Sequence, residues 1–179
     1  MSKINGNKNE FALIREDASR VIIGYGFQPD AEGDNAIWFE VYFNKKQTGK
    51  PSLAQIKEAV KADINAKTDA RILSGFVWNG INVWLSEENQ HNFSEAQRIA
   101  AANPEVGIPA TFKLGEDENG DPVYHTFETA EELTEFYLAA VAYVKQQLAI
   151  GWEEKDSIDW SLYDETPASE PKKTRKSSK

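Results

Sequence analysis

Two hydrophobic periods divide the chain. Between residues 10 and 43, β-branched and aromatic side chains recur in three short runs, at 11–15, 21–27 and 37–43. Such runs, separated by turn chemistry such as Pro29-Asp30-Ala31-Glu32-Gly33, predict an antiparallel β-meander. The third run alternates: Ile37, Phe39, Val41 and Phe43 fall on one face, and Trp38, Glu40 and Tyr42 on the other. A strand that alternates in this way is expected to give a core only one of its faces. Residues 44–51 (NKKQTGKP) are polar and read as a connector.

From residue 52 the period lengthens to that of a helix. Ser52 and Gln55 form a capping box directly after Pro51, and Leu53, Ile56, Val60, Ile64 and Ile72 make one stripe that stops at Ser74-Gly75. The next segment, Phe76-Val77-Trp78-Asn79-Gly80-Ile81-Asn82-Val83-Trp84-Leu85, alternates around Asn-Gly. That dipeptide tolerates the positive φ angles of a type I′ turn and so predicts a hairpin. The register follows from the turn: Trp78 opposes Ile81 and Phe76 opposes Val83 on the core face, which turns Val77, Asn82 and Trp84 outward. A helix is expected to begin at Ser86 and stop before Asn103-Pro104, and a second hairpin should pair 110–114 with 123–127. Thr129 and Glu132 then open the longest helix, striped by Leu133, Phe136, Tyr137, Ala140, Val141, Val144, Leu148 and Trp152. Ile158 and Trp160 are expected to dock the chain end onto this second part. The fold class is therefore α+β, with a small antiparallel β-meander followed by a helix–hairpin–helix–hairpin–long helix domain. The expected boundaries are a flexible N-terminus at 1–9, the meander at 10–43, a connector at 44–51, the α+β domain at 52–163 and a disordered basic tail at 164–179.

Composition narrows the function. The 179 residues carry 20 Lys+Arg against 29 Asp+Glu, a net charge of −9, and the tail concentrates Lys172, Lys173, Arg175, Lys176 and Lys179. An acidic body argues against nucleic acid as a partner, because binding a phosphate backbone requires clustered cations. There is no cysteine, which removes disulfides, thiolate metal sites and cysteine nucleophiles. No apolar run is long enough to cross a bilayer, so membrane insertion is not expected.

Searches for catalytic patterns fail. Gly24-Tyr25-Gly26 lacks the third glycine of a dinucleotide fingerprint, and Gly49-Lys50 has no P-loop around it. Glu88-x-x-His91 occurs once, where a di-iron bundle needs it twice. Asp117, Asn119, Asp121 and Glu128 have the spacing of a calcium loop, but Pro122 stands where that loop needs glycine. Neither a catalytic site, a metal site nor a cofactor is expected. The side chains left for partner contact are those the core needs least: Trp84, Val77, Trp38 and Tyr42.

The order of these features resembles an uncharacterised domain family of tailed bacteriophages and prophages, often associated with tail-fibre and tail-fibre-assembly proteins. IKEAVKADINAKTDARILSG is followed by GFVWNGINVWLS, then SEENQHNFSEAQRIA, PATFKL, PVYHTFE and TAEELTEFYLAAVAYVKQQLAIGWEEKDSIDW, covering about residues 53–160. That family has no established catalytic residues, so no site is carried over. The resemblance implies a virion protein of the tail or baseplate, present in host cytoplasm during assembly, whose partners are other tail proteins or copies of itself. A transient tail-fibre assembly chaperone and a glycan-binding module built on exposed tryptophans are the alternatives.

Overall fold

A computed structural model describes residues 2–31 and 33–164, apart from the side chain of Ser2; of the tail expected at 164–179, residues 165–179 lie outside the described residues. The elements run β1 (Ser2–Asn7), β2 (Ile14–Glu16), β3 (Arg20–Pro29), β4 (Asn35–Asn44), α1 (Lys45–Thr48), α2 (Leu53–Ser74), β5 (Phe76–Trp78), β6 (Ile81–Val83), α3 (Glu87–Ala102), α4 (Pro104–Gly107), β7 (Ala110–Glu116), β8 (Pro122–Phe127) and α5 (Ala130–Asp156). The fold is α+β. It divides into two compact units, Met1–Val60 with Ile158–Lys179, and Lys61–Ser157.

In the first unit an antiparallel sheet has the strand order β1-β4-β3-β2. The runs at 21–27 and 37–43 form β3 and β4, whereas the run expected as a strand at 11–15 is extended in the sheet only at Ile14–Glu16. Strand β3 pairs with β4 so that Val21 opposes Phe43, Ile23 opposes Val41 and Gly24 opposes Glu40. Residues 1–9, read as a flexible end, instead contribute β1, which pairs Ile4 with Trp38. Lys3, Asn5 and Asn7 carry no strand signal of their own. What orders them is the outer edge of β4, whose backbone groups need partners. Gly6 also belongs there for a steric reason, since a Cβ at that position would lie 3.0 Å from the Trp38 ring.

Both faces of this sheet are covered, which corrects the expectation of a single core face. On one side Val21 and Ile23 pack towards Ile56 of α2 and towards Tyr163, around a cavity of about 340 Å³. On the other, the segment before β2 crosses Trp38 and Gly24. The Phe11 ring stands edge-on to Trp38 at 6.0 Å, and a Cβ on Gly24 would collide with the Ala12 carbonyl. The connector holds one helical turn, α1, capped by the Asn44 side chain. Residues 158–163 were expected to dock on the second part, but they belong to the first unit. There Tyr163 is buried and its hydroxyl donates to the Gly24 carbonyl at 2.9 Å, and burial raises its pKa to about 12.

The second unit follows the expected order closely. Asn79 (φ 47°) and Gly80 (φ 81°) make the turn between β5 and β6, with Phe76 opposite Val83 and Trp78 opposite Ile81. Ser86 caps α3 and Thr129 caps α5 through their side chains. Phe76, Trp78, Phe93 and Phe127 surround Phe136 of α5. Helices α3 and α5 are antiparallel, as the Ser94–Tyr137 and Gln97–Thr134 hydrogen bonds show. Beyond Leu148 the α5 stripe departs from its expected course, because Trp152 is exposed. The buried positions at this end of α5 are Gln147 and Gly151: Gln147 accepts from Arg71 of α2 at 3.1 Å, and Gly151 lies against Thr68. Polar residues and a glycine thus continue a contact that an apolar stripe begins.

Candidate interaction surface

Strand alternation sorts the two hairpins into an inward and an outward set. Phe76, Val83 and Phe127 are buried, whereas Val77 is 60% exposed and Trp84 is 36% exposed. The hairpins sit side by side: the Trp84 N–H donates to the Leu114 carbonyl at 2.8 Å, and Gly115 lies against the Asn82 carbonyl, where no Cβ would fit. This close approach joins the outward residues of β6 to those of β7 and β8. Lys113 places its ammonium 5.3 Å from the centre of the Trp84 ring, within cation–π range, and is paired with Glu116 at 2.9 Å. Opposite Lys113 in register stands Tyr124, which is exposed. The outward face therefore carries Trp84 and Tyr124 beside one lysine, with Val77 exposed on β5 and the Thr111–Thr126 hydroxyl pair beyond.

Tyr124 is absent from the residues singled out on sequence. Its signal lay in parity with Phe127: if Phe127 points inward, Tyr124 points outward. The register shift between Lys113 and Gly115 hides which residue it opposes.

Trp38 and Tyr42 belong to the first unit, and Trp38 is withdrawn from the candidates, since it is only 2% exposed. Its indole N–H donates to Glu40 at 3.0 Å, and the Tyr42 hydroxyl donates to the same carboxylate at 2.9 Å. Arg15 donates to both Glu40 oxygens at 3.0 Å. Burial raises the Glu40 pKa, but the donors Trp38, Arg15 and Tyr42 outweigh it and hold the carboxyl below its ordinary value. With every donor spent on a charge that stays in place, the cluster is structural. Tyr42 is half-buried and tied into it.

The remaining candidate chemistry has similar local roles. The Asp117 carboxylate accepts the backbone N–H groups of Asp121 and Asn119 at 3.0 and 2.8 Å, which lowers its pKa and shapes the β7–β8 turn. His125 meets Glu132 at 2.9 Å, and Glu132 also accepts the Glu128 N–H at the mouth of α5. Among the described residues, no group of three or more His, Cys, Asp or Glu side chains could hold a metal ion. Among the same residues, no helix is long and apolar enough to cross a membrane.

If Trp84 anchors a partner, Trp84→Ala is expected to weaken the complex by about 2 kcal/mol. The melting transition should move little, because the side chain is exposed on a sheet face. Competition binding and thermal denaturation on the same preparation separate the two effects, and a fold that collapses on substitution would return Trp84 to the core.

A family model described as Domain of unknown function (DUF4376) matches residues 55–170. No curated protein and no solved structure matches the chain.

Proposed function

The chain belongs to this family of unknown function, and we propose that it is a non-enzymatic structural or adaptor protein of a bacteriophage tail or baseplate, acting through protein–protein contacts. The observation that carries the reading is the outward face of the hairpins, where Val77, Trp84 and Tyr124 stay exposed although a core of aromatic rings lies directly beneath them. Aromatic side chains on a rigid scaffold are typical anchors of protein interfaces. The phage setting rests on the resemblance of residues 53–160 to domains associated with tail fibres. A sugar ring stacked on Trp84 is less well supported, because Lys113 already sits over that indole.

Mass spectrometry of purified particles of the encoding phage tests the reading. The protein is expected in virions at a fixed ratio to the major tail proteins. Its absence from particles, with abundance in the lysate of infected host cells, would favour an assembly chaperone that binds a fibre and leaves.

A further inference from the structure

At one end of the α3–α5 pair lies an apolar cavity of about 220 Å³, lined by Leu85, Phe93, Ala140, Val141 and Val144. Lys145 stands at its edge and is exposed. Among the described residues this ammonium has no ion-pair partner. A concave apolar site with one unpaired cation suits an apolar side chain carried beside a carboxylate.

The chain itself presents that combination. Val106 is 72% exposed and follows Glu105 in the single turn of α4. Glu105 likewise has no ion-pair partner among the described residues. Pro104 opens the turn and is exposed as well, so its tip is apolar with one acidic rim, and the cavity has room for the isopropyl group of Val106. The backbone here is firm, since Ile108 N–H closes the turn onto the Pro104 carbonyl at 3.0 Å and Gly107 lies against Ala100 of α3.

Knob and cavity cannot meet within one molecule. The cavity is at the first turns of α3, near Gln90 and Phe93, and α4 follows its last residue. From Gln90 to Asn103 a helix advances about 20 Å at 1.5 Å per residue. Two complementary patches at opposite ends of one body form a heterologous contact, which closes into a ring or extends as a filament.

We infer that copies of this chain assemble head to tail, with Val106 of one copy in the cavity of the next and Glu105 beside Lys145. The inference deepens the structural reading above and rests on it, since a tail component repeated in a particle needs two surfaces that fit one another on successive copies.

A charge-reversal cycle tests it. Sedimentation velocity on the full chain should show association that grows with concentration, as an open series or a closed ring. Lys145→Glu and Glu105→Lys, both at exposed positions, should each weaken association by on the order of tenfold, and the double variant should restore it. Thermal melting confirms that each variant is folded. A wild-type protein that stays monomeric, a dimer that ignores both reversals, or a double variant no better than the singles would overturn the inference. Its failure is distinct from that of the adaptor reading. A monomer found in purified particles refutes only the self-assembly, whereas an assembling protein missing from particles refutes only the virion role.

Discussion

Replacing Phe136 by alanine is expected to lower the stability of the second unit by about 4 kcal/mol, the middle of the range for a buried aromatic ring. Phe136 is fully buried on α5, and four aromatic rings meet it. Phe93 and Phe127 stand at 4.9 Å, Trp78 edge-on at 5.5 Å and Phe76 at 6.1 Å, all between ring centroids. These partners come from β5, α3 and β8, so the ring joins both hairpins to both helices. Removing it leaves a cavity that rigid neighbours fill only in part. Urea denaturation followed by tryptophan fluorescence measures the loss, with Trp78 reporting from beside the vacated space. Phe136→Leu, which keeps much of the apolar volume, should lose distinctly less. A loss below about 1.5 kcal/mol in the alanine variant would mean that the aromatic cluster can collapse around the gap and that Phe136 does not hold it. The consequence for function is indirect: Val77 and Trp84 are displayed by strands whose inner faces pack on this ring. Near its lowered melting point the Phe136→Ala protein should therefore lose partner binding together with its fold, while Trp84→Ala loses binding alone.

The second unit was legible from sequence because its signals are local and agree with one another. Asn79-Gly80 sets the turn, the turn sets the register, and the register decides that Val77 and Trp84 point outward. Ser86 and Thr129 stand at the helix starts, and each side chain accepts the N–H that a cap must satisfy. What stayed hidden depends on contacts between elements. The flush packing of β6 against β7 needs Gly115, whose role is visible only once the Asn82 carbonyl lies against it. The α2–α5 contact is continued by Thr68, Arg71, Gln147 and Gly151, residue types that carry no helical stripe.

The first unit was less legible because two of its defining contacts are long-range. The pairing of β1 with β4 is made by backbone groups, which any sequence offers, so the weak strand propensity of residues 2–7 gave no warning of it. Trp38, Glu40 and Tyr42 alternate as an exposed polar face would. Arg15 arrives from β2 and the Phe11 segment closes over the indole, so the same three residues become an internal polar cluster. An alternating strand identifies two faces, but how many elements return to cover them is a property of the whole chain.

Glu40 is where that burial should have its largest measurable effect. Glu40→Ala is expected to destabilise the first unit by about 3 kcal/mol, because the substitution leaves donors inside without their acceptor. The Trp38 N–H is the costly one, since the residue is buried and its indole donates to Glu40, whereas Arg15 is half-exposed and can turn to water. The wild-type carboxylate also makes stability depend on pH. Its folded-state pKa lies below the ordinary glutamate value, so at mildly acid pH the unfolded chain binds this proton more readily than the folded one. The stabilisation is fully present above the unfolded pKa, about 4.3, and drains away as pH falls through the depressed folded value. Glu40→Gln, neutral at every pH, should remove this part of the acid limb. The stability gap between wild type and Glu40→Gln is therefore expected to be widest near neutrality and to narrow as the solution is acidified below the ordinary glutamate value. Asp17, Asp117 and Asp159 also have depressed pKa values, so the difference between the two proteins isolates Glu40, where either curve alone does not. Denaturant titrations across this range measure it, and two parallel curves would show that Glu40 is not the group whose protonation loosens the sheet.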